Sequence, residues 1–356
     1  MLSGSRRCKL AVQRGFSGLL IVVAGVTGCT SNPLTSEKPP TITPAEAAAS
    51  PPVSQHPSGA VRPLSARAAA AVFDDSTHRL AVLTPGADPA TPASIAVFGD
   101  PQVAPRVTVL PGPATALTGD GRGTVYLATR GGYFMVDLVS DHTAAVNVAG
   151  AQQAEFTAIA QRADGKLVLG SADGAVYILA SQTPGGVSTA TVSSRNKIFA
   201  RVDWLVTQGN TTVVLDRGQT SVTTISADGR VEQALRAGEG STTMAADPLG
   251  RVLVADTRGG QLLVYGVAPL ILRQAYPVPQ APYGLAGSRE LAWVSLTASN
   301  MVVGYDLSTG IPVEKVRYPT VQQPNSLAFD EASDTLYVVS GSGAGVQVIE
   351  HAVGNR

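Results

Sequence analysis

From residue 70 onward, short runs of apolar residues alternate with polar turns at a nearly constant interval. One set of runs occupies 79–83, 124–128, 166–170, 212–216, 251–255, 290–294 and 335–339, as in Arg251-Val252-Leu253-Val254-Ala255. Their second residues, at 80, 125, 167, 213, 252, 291 and 336, lie 45, 42, 46, 39, 39 and 45 residues apart. A second set follows each member of the first, at 95–98, 134–137, 176–179, 222–225, 262–265, 302–305 and 346–349. A third, richer in small residues, precedes it and places Leu117, Ile159, Met244, Leu285 and Leu327 in matching positions. Runs this short, rich in β-branched residues and bounded by Gly and Asp, read as strands. Asp164-Gly165, Asp173-Gly174, Asp228-Gly229 and Gly259-Gly260 suit the tight turns between them.

Each unit is therefore a small antiparallel sheet that cannot bury both its faces alone. A period of roughly 40–50 residues with several strands per unit is that of propeller blades. Seven such units closed into a ring cover one another and leave only short edges. The expectation is an all-β chain, a seven-bladed β-propeller over residues 59–356. Outer, fourth strands are visible at 106–110, 231–235, 273–276 and 313–316. The last repeat ends near Glu350 with none after it. The segment Ala60-Val61-Arg62-Pro63-Leu64 is expected to return as the missing strand, the alternative being an open three-stranded seventh blade. Pro63 suits an edge, where not every ladder bond is needed.

The head of the chain has a different character. Arg6, Arg7, Lys9 and Arg14 are followed by the apolar run 15–26 and by Val26-Thr27-Gly28-Cys29. A basic n-region, a short apolar core and small residues before a cysteine read as a secretory signal over 1–28, too short for a comfortable membrane span. The four residues resemble the bacterial lipobox, which implies that Cys29 carries diacylglycerol and becomes the new N-terminus. An ordinary cleaved signal with a chance cysteine is the alternative. Each buried CH₂ contributes roughly 0.8 kcal/mol, so two or three acyl chains anchor stably. Residues 29–58 are then a tether, and their Pro, Ser, Thr and Ala content predicts disorder.

Charge narrows the partners. The chain has 26 basic and 26 acidic residues, and without its head 22 bases face 26 acids. A nucleic-acid binder would show a basic surplus, so that class is set aside. With Cys8 lost in the signal, the mature chain keeps one cysteine and forms no internal disulfide. His56, His78, His142 and His351 are scattered without metal-ligand spacing. No Gly-x-Ser-x-Gly elbow, phosphate loop or clustered acid pair is present. No catalytic residue, metal or cofactor is expected.

The last repeat, Pro324-Asn325-Ser326-Leu327-Ala328-Phe329-Asp330 leading to Asp334-Thr335-Leu336-Tyr337-Val338-Val339, resembles YVTN/YncE-type propeller repeats, as does Gly304-Tyr305-Asp306-Leu307-Ser308-Thr309-Gly310. Gly250-Arg251-Val252-Leu253-Val254-Ala255-Asp256 is similar to an NHL blade. Together with the lipobox, the chain resembles propeller lipoproteins of actinobacteria. The resemblance implies the fold far more than an activity. The tryptophan that closes quinoprotein-type repeats is missing after Gly310.

Propeller ligands usually meet the loops joining strand two to three and strand four to the next blade. The position after each first-set run is polar in all seven repeats: Thr84, Thr129, Ser171, Arg217, Asp256, Ser295 and Ser340. Hydroxyls there satisfy backbone groups in turns. The charged members are more informative, and Arg130, Asp216, Arg217, Asp256 and Arg258 are candidates for binding an anionic or peptide ligand through bidentate hydrogen bonds. Solvated or mutually paired charges are the alternative. Tyr283 and Asn325 begin innermost strands and face the channel mouth, and Trp204 either plugs the channel or packs in the core. The functional expectation is a lipid-anchored binding or scaffolding module on the extracytoplasmic face of the cell membrane, with an envelope protein or small ligand as partner. A lactonase-like hydrolase or cyclotransferase-like enzyme using the channel mouth is the alternative.

Overall fold

The computed structural model describes residues 40–64, 66–181 and 188–354. The expected signal segment and Cys29 lie outside these. The described strands form seven antiparallel sheets, here called blades 1–7 in chain order. Their innermost strands are Ala70–Asp74, Ala116–Gly119, Phe156–Gln161, Trp204–Gln208, Ser241–Ala246, Pro282–Gly287 and Pro324–Asp330. Each touches the next, and the last touches the first, so the blades close a ring around a central channel.

Burial explains why the repeat was readable. The second and third strands of each blade are sandwiched between neighbouring blades, so both their faces are apolar. Leu167–Ser171 and Ala175–Leu179 are buried at every position. The core is correspondingly a ring of clusters between blades. Leu253, Leu262 and Val264 of blade 5, for example, pack against Val294, Val303 and Tyr305 of blade 6. Trp293 of blade 6 is fully buried and stacks on Phe329 of blade 7, with ring centroids 5.7 Å apart. Fourth strands form the solvent-facing rim. That of blade 3, Val192–Lys197, is polar after its first residue, and that of blade 2, Thr143–Val148, buries only Val146 and Val148. Blade 2 gains a fifth strand, Thr189–Ala190, paired in parallel with Thr143–Val148.

The seventh blade is closed by the N-terminal strand. Ala60–Arg62 pairs antiparallel with the third strand of blade 7, Val346–Ile349, in the register Ala60 to Val348 and Arg62 to Val346. Gly59 makes the approach possible: its φ is 74°, and a Cβ there would overlap the Val348 carbonyl oxygen. The Gln347 side chain donates to Ser58 O at 2.7 Å and Pro319 O at 3.0 Å, tying the incoming chain to blade 6. After the strand, Leu64 enters a core cluster with Leu80, Val82 and Phe98 of blade 1 and Val339 and Val346 of blade 7. The N-terminal strand and Leu64 thus bridge the first and last blades.

The expected disorder up to residue 58 does not hold for residues 40–58. They have no regular secondary structure, yet they run extended against the propeller, and Ala45 is only 7% exposed. Low apolar content removed the usual reason for such a segment to dock. It docks instead through polar side chains of the propeller that bond its main chain.

Candidate functional site

The upper face of the ring carries the starts of the innermost strands and the ends of the second strands. Its hydroxyl residues behave as turn clamps. Thr84 donates to Ser94 O at 3.1 Å, Thr129 to Pro113 O at 2.6 Å and Ser171 to Ala175 O at 2.9 Å. Ser295 donates to Pro324 O at 2.5 Å, and Ser340 to Gln322 O at 2.6 Å. All are occupied with backbone.

Two of the charged candidates lie beneath this face. Asp216 and Asp256 end the second strands of blades 4 and 5, so Asp216, not Arg217, is the structural counterpart of Asp256. Both are 0% exposed. Asp256 accepts the N–H groups of Glu239 (3.0 Å), Gly240 (2.8 Å) and Gly259 (3.1 Å). Asp216 likewise accepts from Ala200 at 2.6 Å and Gln219 at 3.0 Å. Each carboxylate staples the turn between strands two and three to the loop that leads into its blade. Gly238 gives way to it, with φ 69° and no room for a Cβ against the Asp256 carboxylate. Burial pushes the Asp216 carboxyl up, against the lowering effect of its backbone N–H partners. These two are loop organisers and do not belong to a ligand-facing ring.

The remaining candidates divide. Arg130 is exposed and bonded to Gln153 Oε1 at 2.7 Å, apart from the others. Arg217 and Arg258 reach up to residues 40–52, which cross the face of blades 4–7 as a strap. Arg217 donates to Ala45 O, and Arg258 to Thr43 O at 2.8 Å. Gln323 donates to Ala48 O at 3.0 Å, Asn300 to Pro51 O at 2.8 Å, and Gln322 to Ser50 O and Pro51 O at 3.3 Å each. The Ser50 hydroxyl donates to Thr297 O at 2.6 Å, and its N–H to Gln323 Oε1 at 2.9 Å.

Beneath the strap, at the channel mouth, lies a cavity of about 510 Å³ lined by Glu46, Arg67, Arg217, Tyr283, Gln323 and Asn325, among others. Tyr283 and Asn325 therefore meet Arg217 as neighbours of one space. Burial pushes the Tyr283 hydroxyl up, Arg217 opposes this and Glu46 adds to it. Arg217 Nε is buried there without a hydrogen-bond partner. Sequence reading missed Asn300, Gln322, Gln323, Glu46 and Arg67. Only Asn300 left a trace: it sits at φ 53° in a turn, where asparagine is several-fold enriched, whereas Gln323, at φ 57°, is of a type with no such preference.

The channel itself holds a second cavity of about 430 Å³, walled by innermost strands with Leu117, Ile159, Met244 and Leu285. Trp204 lines its wall and packs against the core shared by blades 4 and 5. At the lower end stand Asp75 and Glu331. Burial raises the Asp75 carboxyl, helped by Asp330 and Asp74. Burial also raises that of Glu331, with Asp334 and Asp75 adding to it and Arg289 opposing. A carboxyl with a raised folded-state pKa binds its proton more tightly in the native chain than in the unfolded one. Native stability is then lost as pH rises from the ordinary glutamate value through the raised one. Glu331→Gln, which keeps an acceptor for the Arg289 N–H (2.8 Å), should stabilise the chain at pH 7. The gain is at most about 1 kcal/mol because the site is partly solvated, and it disappears below the ordinary glutamate range. Urea unfolding at pH 7 and pH 3 checks this, and a wild type that is the more stable at pH 7 contradicts it.

Among the described residues, no group of three or more His, Cys, Asp and Glu side chains is arranged to hold a metal ion. Nor is any described helix long and apolar enough to cross a membrane.

The sequence matches no protein-family model and no curated protein. Solved structures do resemble it. A streptogramin B lyase superposes with a TM-score of 0.63 at 10% identity, covering 82% of this chain and 96% of its own. A chain of a mitotic checkpoint complex superposes with a TM-score of 0.66 at 12% identity, covering 87% of this chain and 99% of its own. At such identities the likeness is one of fold alone, and with the seven closed sheets it makes this chain a seven-bladed β-propeller.

Proposed function

We propose that the chain is an exported, lipid-anchored binding module of the cell envelope, of the YncE-like propeller lipoprotein type, whose upper face holds its partner. The observation that carries the binding reading is the row of donors on blades 4–7, from Arg217 to Gln323, all aimed at one extended chain. Anchoring rests on Val26-Thr27-Gly28-Cys29. Cys29→Ala should move the protein from the membrane to the soluble fraction and remove the mass of the diacylglycerol; a variant still acylated and membrane-bound sinks the anchor. For the face, partners captured from gently solubilised envelopes should be lost with Arg217→Ala/Arg258→Ala. Capture unchanged by that variant places the site elsewhere.

An enzyme using the channel is the second reading. It is favoured by two carboxyls held above their ordinary range, Asp75 and Glu331, at the end of the channel cavity. One of the fold neighbours is a lyase. Native mass spectrometry decides: a small molecule retained by the wild type and lost in Asp75→Asn/Glu331→Gln promotes this reading, and an empty channel in both demotes it.

A further inference from the structure

We infer that the upper face of blades 4–7 is a groove for an extended peptide carrying a small residue followed by an acidic one, and that residues 41–51 are its resident occupant in cis. This rests on the upper face being the binding face and adds the class of ligand.

The contacts are those of peptide recognition. Five carbonyls of the strap, those of Thr43, Ala45, Ala48, Ser50 and Pro51, accept hydrogen bonds from propeller side chains. The donors Arg258, Arg217, Gln323, Gln322 and Asn300 come from the loops of four successive blades. A face built only to cover itself has no need of long polar side chains at each step. Guanidinium and amide groups read main-chain carbonyls, which every extended peptide offers.

Selectivity comes from two positions. Ala45 is the one strap residue that is buried, and it packs so closely over Gly240 that even a Cβ on that glycine would lie 3.0 Å from its methyl. Burial and this close approach disfavour a side chain larger than alanine. The next residue, Glu46, borders the 510 Å³ cavity together with Arg67 and Arg217. Neither arginine has an ion-pair partner among the described residues. Arg217 also keeps its buried Nε unpaired. Glu46 shares this cavity with two guanidinium groups without pairing with either, so the acidic preference rests on charge complementarity across the cavity.

The occupant is held chiefly by side chains, not by a strand ladder. Among the described residues, the main chain of 40–52 makes a single backbone-to-backbone bond to the propeller, Ile42 N–H to Gly218 O at 2.8 Å. No strand ladder locks it. A tethered segment competes at an effective concentration on the order of millimolar, so an external peptide binds weakly until the strap is released.

The test uses the lipidated full chain in detergent and a fluorescent peptide with the sequence of residues 40–52. Ala45→Arg, which cannot seat its side chain over Gly240, should expel the strap and bind the peptide at least tenfold more tightly than wild type. Arg217→Ala/Arg258→Ala in that background should weaken binding at least tenfold, as should arginine at the alanine position of the peptide. Equal affinity with and without Ala45→Arg, or indifference to the two arginines, overturns the inference. A second measurement needs no variant: millimolar peptide added to wild type should accelerate hydrogen exchange of the Ile42 amide, and unchanged exchange also overturns it. If the peptide fails while an envelope partner is still captured through Arg217 and Arg258, the peptide class falls and the upper-face module stands.

Discussion

Deleting residues 59–64 lowers the melting temperature by roughly 10 °C, at about 2–4 °C per kcal/mol for a domain of this size. The loss sums three local effects. Val346–Val348 lose the partner strand that covers their edge, at about 1 kcal/mol net for each ladder bond. Leu64 leaves a core where it is 7% exposed, which costs about 2 kcal/mol. Arg62 no longer donates to Gly99 O (3.0 Å), Asp100 O (3.0 Å) and Val103 O (2.6 Å), and no longer lies over the Phe98 ring at 5.0 Å. These contacts hold blade 7 to blade 1, so their loss opens the ring at its seam. Calorimetry of the full chain against the deletion checks this, together with light scattering for association through the bared edge. An unchanged melting curve means that the inner strands alone keep the ring shut.

Asp256→Ala destabilises the chain by about 3 kcal/mol, because three N–H groups lose their carboxylate acceptor, that of Gly240 in a buried position and those of Glu239 and Gly259 half-buried. Asp256→Asn recovers part of this, since its amide oxygen still accepts. The same substitutions at Asp216, which serves blade 4 in the same way, act alike. Urea unfolding measures the loss. The decisive contrast is with Arg258→Ala, whose side chain is exposed and, among the described residues, bonded only to the carbonyls of Thr43 and Glu239. It should leave stability within about 0.5 kcal/mol of wild type, as surface changes do, while impairing what the face binds. Were Asp256→Ala as stable as wild type and yet defective in binding, the carboxylate would be a ligand contact after all.

The two carboxylates and the two arginines show where sequence reading stops. All four were singled out because they follow the same strand in successive repeats. Both strands end on the aspartate, which turns inward to the loop amides, while Arg217 and Arg258, one and two residues further on, reach up to the strap. Period alone does not distinguish these fates. The direction of a side chain at a strand end depends on the turn that follows.

What the sequence determined by itself was the repeat, the number of blades and the identity of their second and third strands. Those strands are buried on both faces between neighbours, so most are short, largely apolar runs, and such runs are visible one at a time. The unfinished last repeat likewise announced that Ala60–Arg62 would complete it. Fourth strands at the rim bury little: that of blade 3 is almost wholly polar, and that of blade 2 offers only the short run Ala144-Ala145-Val146. Only the tertiary structure decided that residues 40–52 lie on the upper face and which side chains hold them. Those side chains stand some 170 to 280 residues away from the strap in the chain. They bond carbonyl oxygens, a group that every residue possesses, so these bonds leave no mark in the strap's sequence.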